Sequence, residues 1–239
     1  LSCGVLPALL LCIPACTLAN EIVCTIASFT VRPAPILKLE SRPITEKIVS
    51  VITVLATSPE DGPHFARRLE RMYLQNPDEN VAFGLLADYK DAPVPTLPED
   101  EKIATALEEA IHLLNRKYGN HFCLFLRGRS KSPSEKIYMG WERKRGALIE
   151  LNRFLLGRED RFEKVILPKG FRNNTAYILT LDADTDLRIG ALRRLYATLK
   201  HPYNRPKVKN GVVVSGYGVL QPRMVTGVDS AGRSPFSAL

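Results

Sequence analysis

The chain has 239 residues, 45% of them hydrophobic, enough for one large globular domain or two small ones. A net charge of +8 suits an anionic ligand or an anionic membrane face. No basic run is interleaved with aromatics, which argues against a nucleic-acid binder, and five cysteines without zinc-ligand spacing argue against a zinc site or a disulfide framework.

Residues 1–31 are almost uncharged until Glu21, long enough for a membrane-spanning helix of about 20 residues. No basic segment precedes them, which argues against a signal peptide. Pro7 and Pro14 are tolerable in such a helix. Residues 32–44 read as an extended, proline-containing juxtamembrane linker. Arg32, Lys38, Arg42 and Lys47 on this flank predict a cytoplasmic side. The chain opens on Leu1 rather than Met, and the expectation is a piece of something longer.

Beyond the linker, strand-like and helix-like segments alternate. KIVSVITVLATS (47–58) reads as a buried strand, and DGPHFARRLERMYLQNP as an amphipathic helix with Pro63 in its first turn. VAFGLLADY is a second strand, ending at Asp88. PEDEKIATALEEAIHLLNRKYGN is a long helix with acids at its start and Gly119 at its exit. HFCLFLR is a third strand, and RGRSKSPSEKIYMGW a polar loop whose Arg127, Arg129 and Lys131 read as surface charge. ERKRGALIELNRFLLG is a helix closed by Gly157. AYILTLD is a fourth strand, with LRIGALRRLYATLK a helix behind it. GVVVSGYGVLQPR is a last strand-like segment, and residues 225–239 read as a linker or truncated tail. The alternation predicts an α/β domain over 45–224 with a doubly wound, mostly parallel sheet, whose ligands bind at the carboxyl ends of the strands.

The polar residues cluster at those ends. Asp182, Asp184 and Asp186 alternate directly after the apolar run YILTL. The first two share a side of an extended segment and suit a hard divalent cation, Mg²⁺ or Mn²⁺, carrying a diphosphate. Asp186 is expected to cap the next helix. A calcium loop is excluded, because its sixth and twelfth positions hold Leu187 and Arg193 rather than Gly and Glu. A haloacid-dehalogenase-type phosphohydrolase, with Asp182 as nucleophile, is an alternative weakened by Asp186 where that motif has Thr. Lys144 and Arg145 near a helix start can meet phosphate oxygens, Gly146 allows close backbone approach, and Trp141 could stack on a sugar.

In order and wording, LLADYKDAP, MGWERKRGALIELNRFLLG, YILTLDADTDL, HPYNRP and GYGVLQPR resemble the glycosyltransferase region of cyclic β-1,2-glucan synthases, glycosyltransferase family 84. The resemblance covers nearly the whole chain. It implies a glycosyltransferase-A-like fold and transfer of glucose from UDP-glucose to a growing β-glucan acceptor. It also implies a place at the cytoplasmic face of the inner membrane, in contact with lipid, within a longer multidomain chain. By resemblance, Asp88 would lie on the uracil side, Lys144 and Gly146 at the diphosphate, Asp182 at the ribose or metal, and Asp184 would be the principal metal ligand. No catalytic base is identifiable. Gln221-Pro222-Arg223-Met224 lacks the Trp of the family-type Q-x-x-R-W motif, so the base is expected beyond Leu239. A non-catalytic nucleotide-sugar-binding fragment is the other alternative.

Overall fold

The computed structural model describes residues 2–31, 36–39, 42–158 and 161–222, without the side chains of residues 2–9 and 13. Arg32, Pro33, Pro35 and the 225–239 tail therefore lie outside the described residues. The chain divides into two compact units at Leu37/Lys38.

The first unit holds α1, Ser2–Thr30, which runs continuously through Pro7 and Pro14. Within it Leu10–Thr30, 21 residues of mean hydropathy 1.8, is long and apolar enough to cross a membrane by length and composition. Its late hydroxyls bond back to their own helix, Ser28 Oγ to the Thr25 carbonyl at 2.7 Å and Thr30 Oγ1 to the Ile26 carbonyl at 2.9 Å. Such back-bonding satisfies polar side chains without a solvent partner.

The second unit is the expected α/β domain. In chain order it comprises β1 (Lys47–Ala56), α2 (Asp61–Gln75), β2 (Val81–Tyr89), α3 (Asp100–Tyr118), β3 (Phe122–Arg127), β4 (Ser130–Lys131), β5 (Tyr138–Met139) and α4 (Arg143–Leu155). There follow β6 (Phe162–Ile166), β7 (Thr175–Asp182), α5 (Ala191–Lys200), a short 3₁₀ turn, β8 (Lys207–Lys209) and β9 (Val212–Ser215). The main sheet has the order β6-β3-β2-β1-β7. β3, β2, β1 and β7 are parallel, and β6 joins the edge antiparallel. β1, β2 and β3 are nearly continuous apolar runs because helices cover both faces.

On one face α2 presents Phe65, Leu69 and Met72, α3 presents Ile103, Leu107 and Ile111, and α5 adds Leu192 and Tyr196. These are i, i+3/i+4 stripes, as an amphipathic helix requires. On the other face α4 lays Ala147, Leu151 and Phe154 over Val49, Val51, Leu86 and Phe125. Helices α2 and α3 approach so closely that a Cβ on Gly62 would come within 2.5 Å of the Ala106 carbonyl oxygen.

Four features refine the sequence reading. Strand β6 was not expected: its Glu163 and Lys164 break the apolar run, as suits an edge strand. The polar loop contains the small β4–β5 hairpin, tied by an Ala92–Tyr138 bridge. The strand-like reading of GVVVSGYGVLQPR holds for β9, which pairs with β8 in an exposed hairpin outside the main sheet. That hairpin turns at Asn210-Gly211, both at positive φ, the backbone that a tight two-residue hairpin needs. Helix α5 starts at Ala191 rather than Leu187, and Asp186 does not cap it. The cap comes from α2: Asn76 Oδ1 accepts the Leu192 N–H at 3.2 Å, and Gly190 N–H reaches the Gln75 carbonyl at 3.2 Å.

Candidate functional site at the carboxyl edge of the sheet

Chain order runs from β1 out through β2 to β3, then returns to β7 on the other side of β1. The carboxyl ends of β1 and β7 therefore bound a topological switch point, where ligands of open α/β sheets bind. Asp88 pairs in register with Leu55 of β1, and Asp182 with Thr53 of β1 from the opposite side. Both expected acids thus reach the same edge.

The three alternating acids separate into three surroundings. Asp182, the last residue of β7, pairs with Lys144 Nζ from the first turn of α4. Asp184 is exposed in the turn that Thr185 N–H closes on the Asp182 carbonyl at 3.0 Å, and its Oδ1 takes the Thr185 hydroxyl at 3.4 Å. Asp186 points away, to Arg71 at 2.9 Å and Arg68 at 3.4 Å on α2. No group of three His, Cys, Asp or Glu side chains suited to a metal occurs among the described residues. The donor set at the switch point is thus two exposed carboxylates with one lysine. It fits a hard cation that completes its coordination with phosphate and water oxygens.

Lys144 owes its place to an unusual turn. Glu142 and Arg143 are both left-handed, at φ 53° and 48°, where the chain enters α4. Gly146 is buried against this turn, where a Cβ would collide with the Trp141 carbonyl oxygen and lie 2.9 Å from the Glu142 Cβ. Its missing side chain is thus required by the chain itself. Arg145 stays exposed and pairs with Glu142 at 3.2 Å, and Trp141 is about one-third exposed.

Asp88 is held by a group that sequence reasoning missed. Arg127, at the end of β3, is 2% exposed and grips Asp88 with Nε at 2.7 Å and Nη2 at 2.6 Å. It also donates to Glu150 Oε2 at 2.9 Å and to the carbonyls of Trp141 at 3.1 Å and Arg143 at 2.9 Å. Burial works against its charge, but Asp88 and Glu150 outweigh it and raise the guanidinium above its ordinary range. Arg129, expected at the surface, is also buried, with a 1% exposed side chain in a two-point pair with Asp100. The available signal was position: an arginine closing an otherwise fully apolar strand needs a buried partner.

Burial pushes the Asp100 carboxyl up, but Arg129 and the Leu97 N–H at 2.7 Å outweigh it and hold it below the usual range. A depressed folded value contributes stability above the unfolded value of about 3.9, lost as pH falls through the folded one. Asp100→Asn is therefore expected to cost about 1.5–3 kcal/mol at pH 7, with the gap to wild type closing in acid. Urea unfolding by circular dichroism between pH 3 and 7 measures it; a gap that widens in acid reverses the sign.

A cavity of about 470 Å³ lies elsewhere, among Ile44, Asp78, Asn80, His121 and Arg193. Several of these residues precede β1, β2 and β3, so the cavity lies at the amino end of the sheet, opposite the acids. Volume alone is thus a poor guide to the site; the topological edge with converging charges is the stronger criterion.

No family model matches the chain. It is 33% identical over 228 residues to the cyclic beta-(1,2)-glucan synthase NdvB of Rhizobium meliloti (strain 1021). The chain is homologous to part of that glucan synthase. The match takes in 90% of this chain but 8% of the relative, a much longer protein. Lys144, Asp88 and the Asp182/Asp184 pair thus stand in a region similar to one small segment of the synthase.

Proposed function

We propose that the chain is the donor-binding part of a metal-dependent inverting glucosyltransferase, moving glucose from UDP-glucose to a growing β-1,2-linked glucan. The observation that carries this is the contact of Lys144 with Asp182 across the switch point, beside the exposed Asp184. The homology to a glucan synthase supports a glycosyltransferase region in particular.

In this reading Asp182 and Asp184 hold Mg²⁺ or Mn²⁺, which when bound supplies positive charge to the leaving diphosphate. Lys144 exchanges Asp182 for a phosphate oxygen, and the amino end of α4 adds its partial positive charge. Asp88, fixed by Arg127, keeps unused lone pairs for the nucleobase side. The donor bond is α and the product β, so the anomeric centre inverts and a base must take the acceptor hydroxyl proton. In this reading the base comes from a further segment, as the much greater length of the relative would allow. Helix α1 then crosses the inner membrane, and the domain works at its cytoplasmic face.

Calorimetry of UDP and UDP-glucose against the full chain in mild detergent, with Mn²⁺ or with EDTA, tests the proposal. Binding is expected to require the metal and to weaken at least about tenfold in Asp184→Ala, the loss of one charge-assisted ligand. Metal-independent binding, or equal binding by the variant, would sink it. Phosphate release from a generic phosphoester, abolished by Asp182→Asn, would replace it with a phosphohydrolase.

A further inference from the structure

Glu142 and Arg143 are consecutive non-glycine residues in the left-handed region, a conformation that persists only where surrounding contacts enforce it. The very next residue is Lys144. Local bonds are few: Arg143 N–H to the Gly140 carbonyl at 2.9 Å, and Gly146 N–H to the Glu142 carbonyl at 3.2 Å. The side chains of the turn pair only at the surface, Arg143 with Asp91 at 2.9 Å and Glu135 at 3.0 Å, and Glu142 with Arg145 at 3.2 Å. The buried restraint is Arg127, whose Nη1 and Nη2 hold the carbonyls of Trp141 and Arg143, on either side of Glu142. Arg127 is itself fixed from behind by Asp88 and Glu150. Those contacts use all five guanidinium N–H groups, and the side chain is 2% exposed. It therefore has no donor left for a ligand.

We propose that Arg127 is a positioning residue for diphosphate binding: by clamping the two carbonyls around Glu142 it fixes the turn that aims Lys144 at the switch point. This rests on the donor-binding reading above. Lysine cannot replace it, because an ammonium is a single point of charge and cannot hold a carboxylate fork and two carbonyls together. Gly140 belongs to the same device, since a Cβ there would lie 2.7 Å from the Asp88 Cγ and 2.9 Å from Arg127 Nη2.

The test is a double-mutant cycle on affinity for inorganic diphosphate with Mn²⁺, a probe with no nucleobase for Asp88 to meet, using the full chain with folding checked by circular dichroism. R127K and K144A are each expected to weaken diphosphate about tenfold, the size of one lost charge-assisted bond. The double variant is expected to bind within about twofold of the weaker single, because Arg127 acts through Lys144. A purely structural role predicts additive losses, and that result overturns the proposal, as does wild-type affinity in R127K. Should R127K not fold, G140A decides: it wedges the clamp without altering any charge and is expected to show the same non-additive loss with K144A. Wild-type affinity in G140A overturns the clamp. Failure of the wild type to bind diphosphate at all would instead strike the donor-binding reading, and this inference with it.

Discussion

Arg127→Met is expected to lower the unfolding free energy of the domain by about 3–5 kcal/mol, the cost of stripping one partner from a buried ionic network. Asp88, with a 14% exposed side chain, and Glu150, with 7%, would lose the cation between them. The carbonyls of Trp141 and Arg143 would lose their donors in the same stroke. Urea unfolding by far-ultraviolet circular dichroism reads the loss. Adding Asp88→Asn and Glu150→Gln to the methionine variant is expected to restore a large part of it, since no uncompensated charge then remains buried. A loss under about 1 kcal/mol for the single variant would mean that water already reaches these groups and that the network is a surface one.

Phe125→Ala is expected to cost about 3–5 kcal/mol, the range for deleting a buried aromatic and leaving a cavity. Phe125 is fully buried, with its ring edge-on to Phe154 at 5.6 Å and tilted against Phe162 at 5.4 Å. The three rings join β3, α4 and β6, so the damage falls on the support of the Lys144 turn. UDP affinity is expected to fall along with stability. Leu107→Ala, on the α3 face, removes a comparably buried side chain and is expected to spare UDP affinity in the fraction that stays folded. Equal effects of both variants on UDP would refute a face-specific coupling.

The parts of the fold legible in the sequence were those whose causes are local. Strands β1, β2, β3 and β7 are apolar runs, and α2, α3 and α4 repeat their apolar residues with helical spacing. Asp88, Lys144, Gly146, Asp182 and Asp184 could be picked out because each stands at the end or beginning of such an element. What escaped depended on partners far away in the chain. The start of α5 is set by Asn76, 116 residues before the Leu192 N–H that it caps. Asp186 reads as a cap by position, yet its carboxylate goes to Arg71, 115 residues back. Arg127 and Arg129 read as surface charge because Asp88, Glu150 and Asp100 come to them only through the packing of β2, α3 and α4.

The segment after β7 resembles an arch with both feet set. One foot is the strand end at Asp182, held in the sheet against Thr53. The other is fastened to α2 by Asp186–Arg71, Gly190–Gln75 and Leu192–Asn76. Asp184 stands at the crown. A span pinned this way would surrender little disorder on taking up the proposed cation, so more of the contact energy would remain as affinity. Loosening the far footing, well away from any ligand atom, would weaken capture through entropy alone.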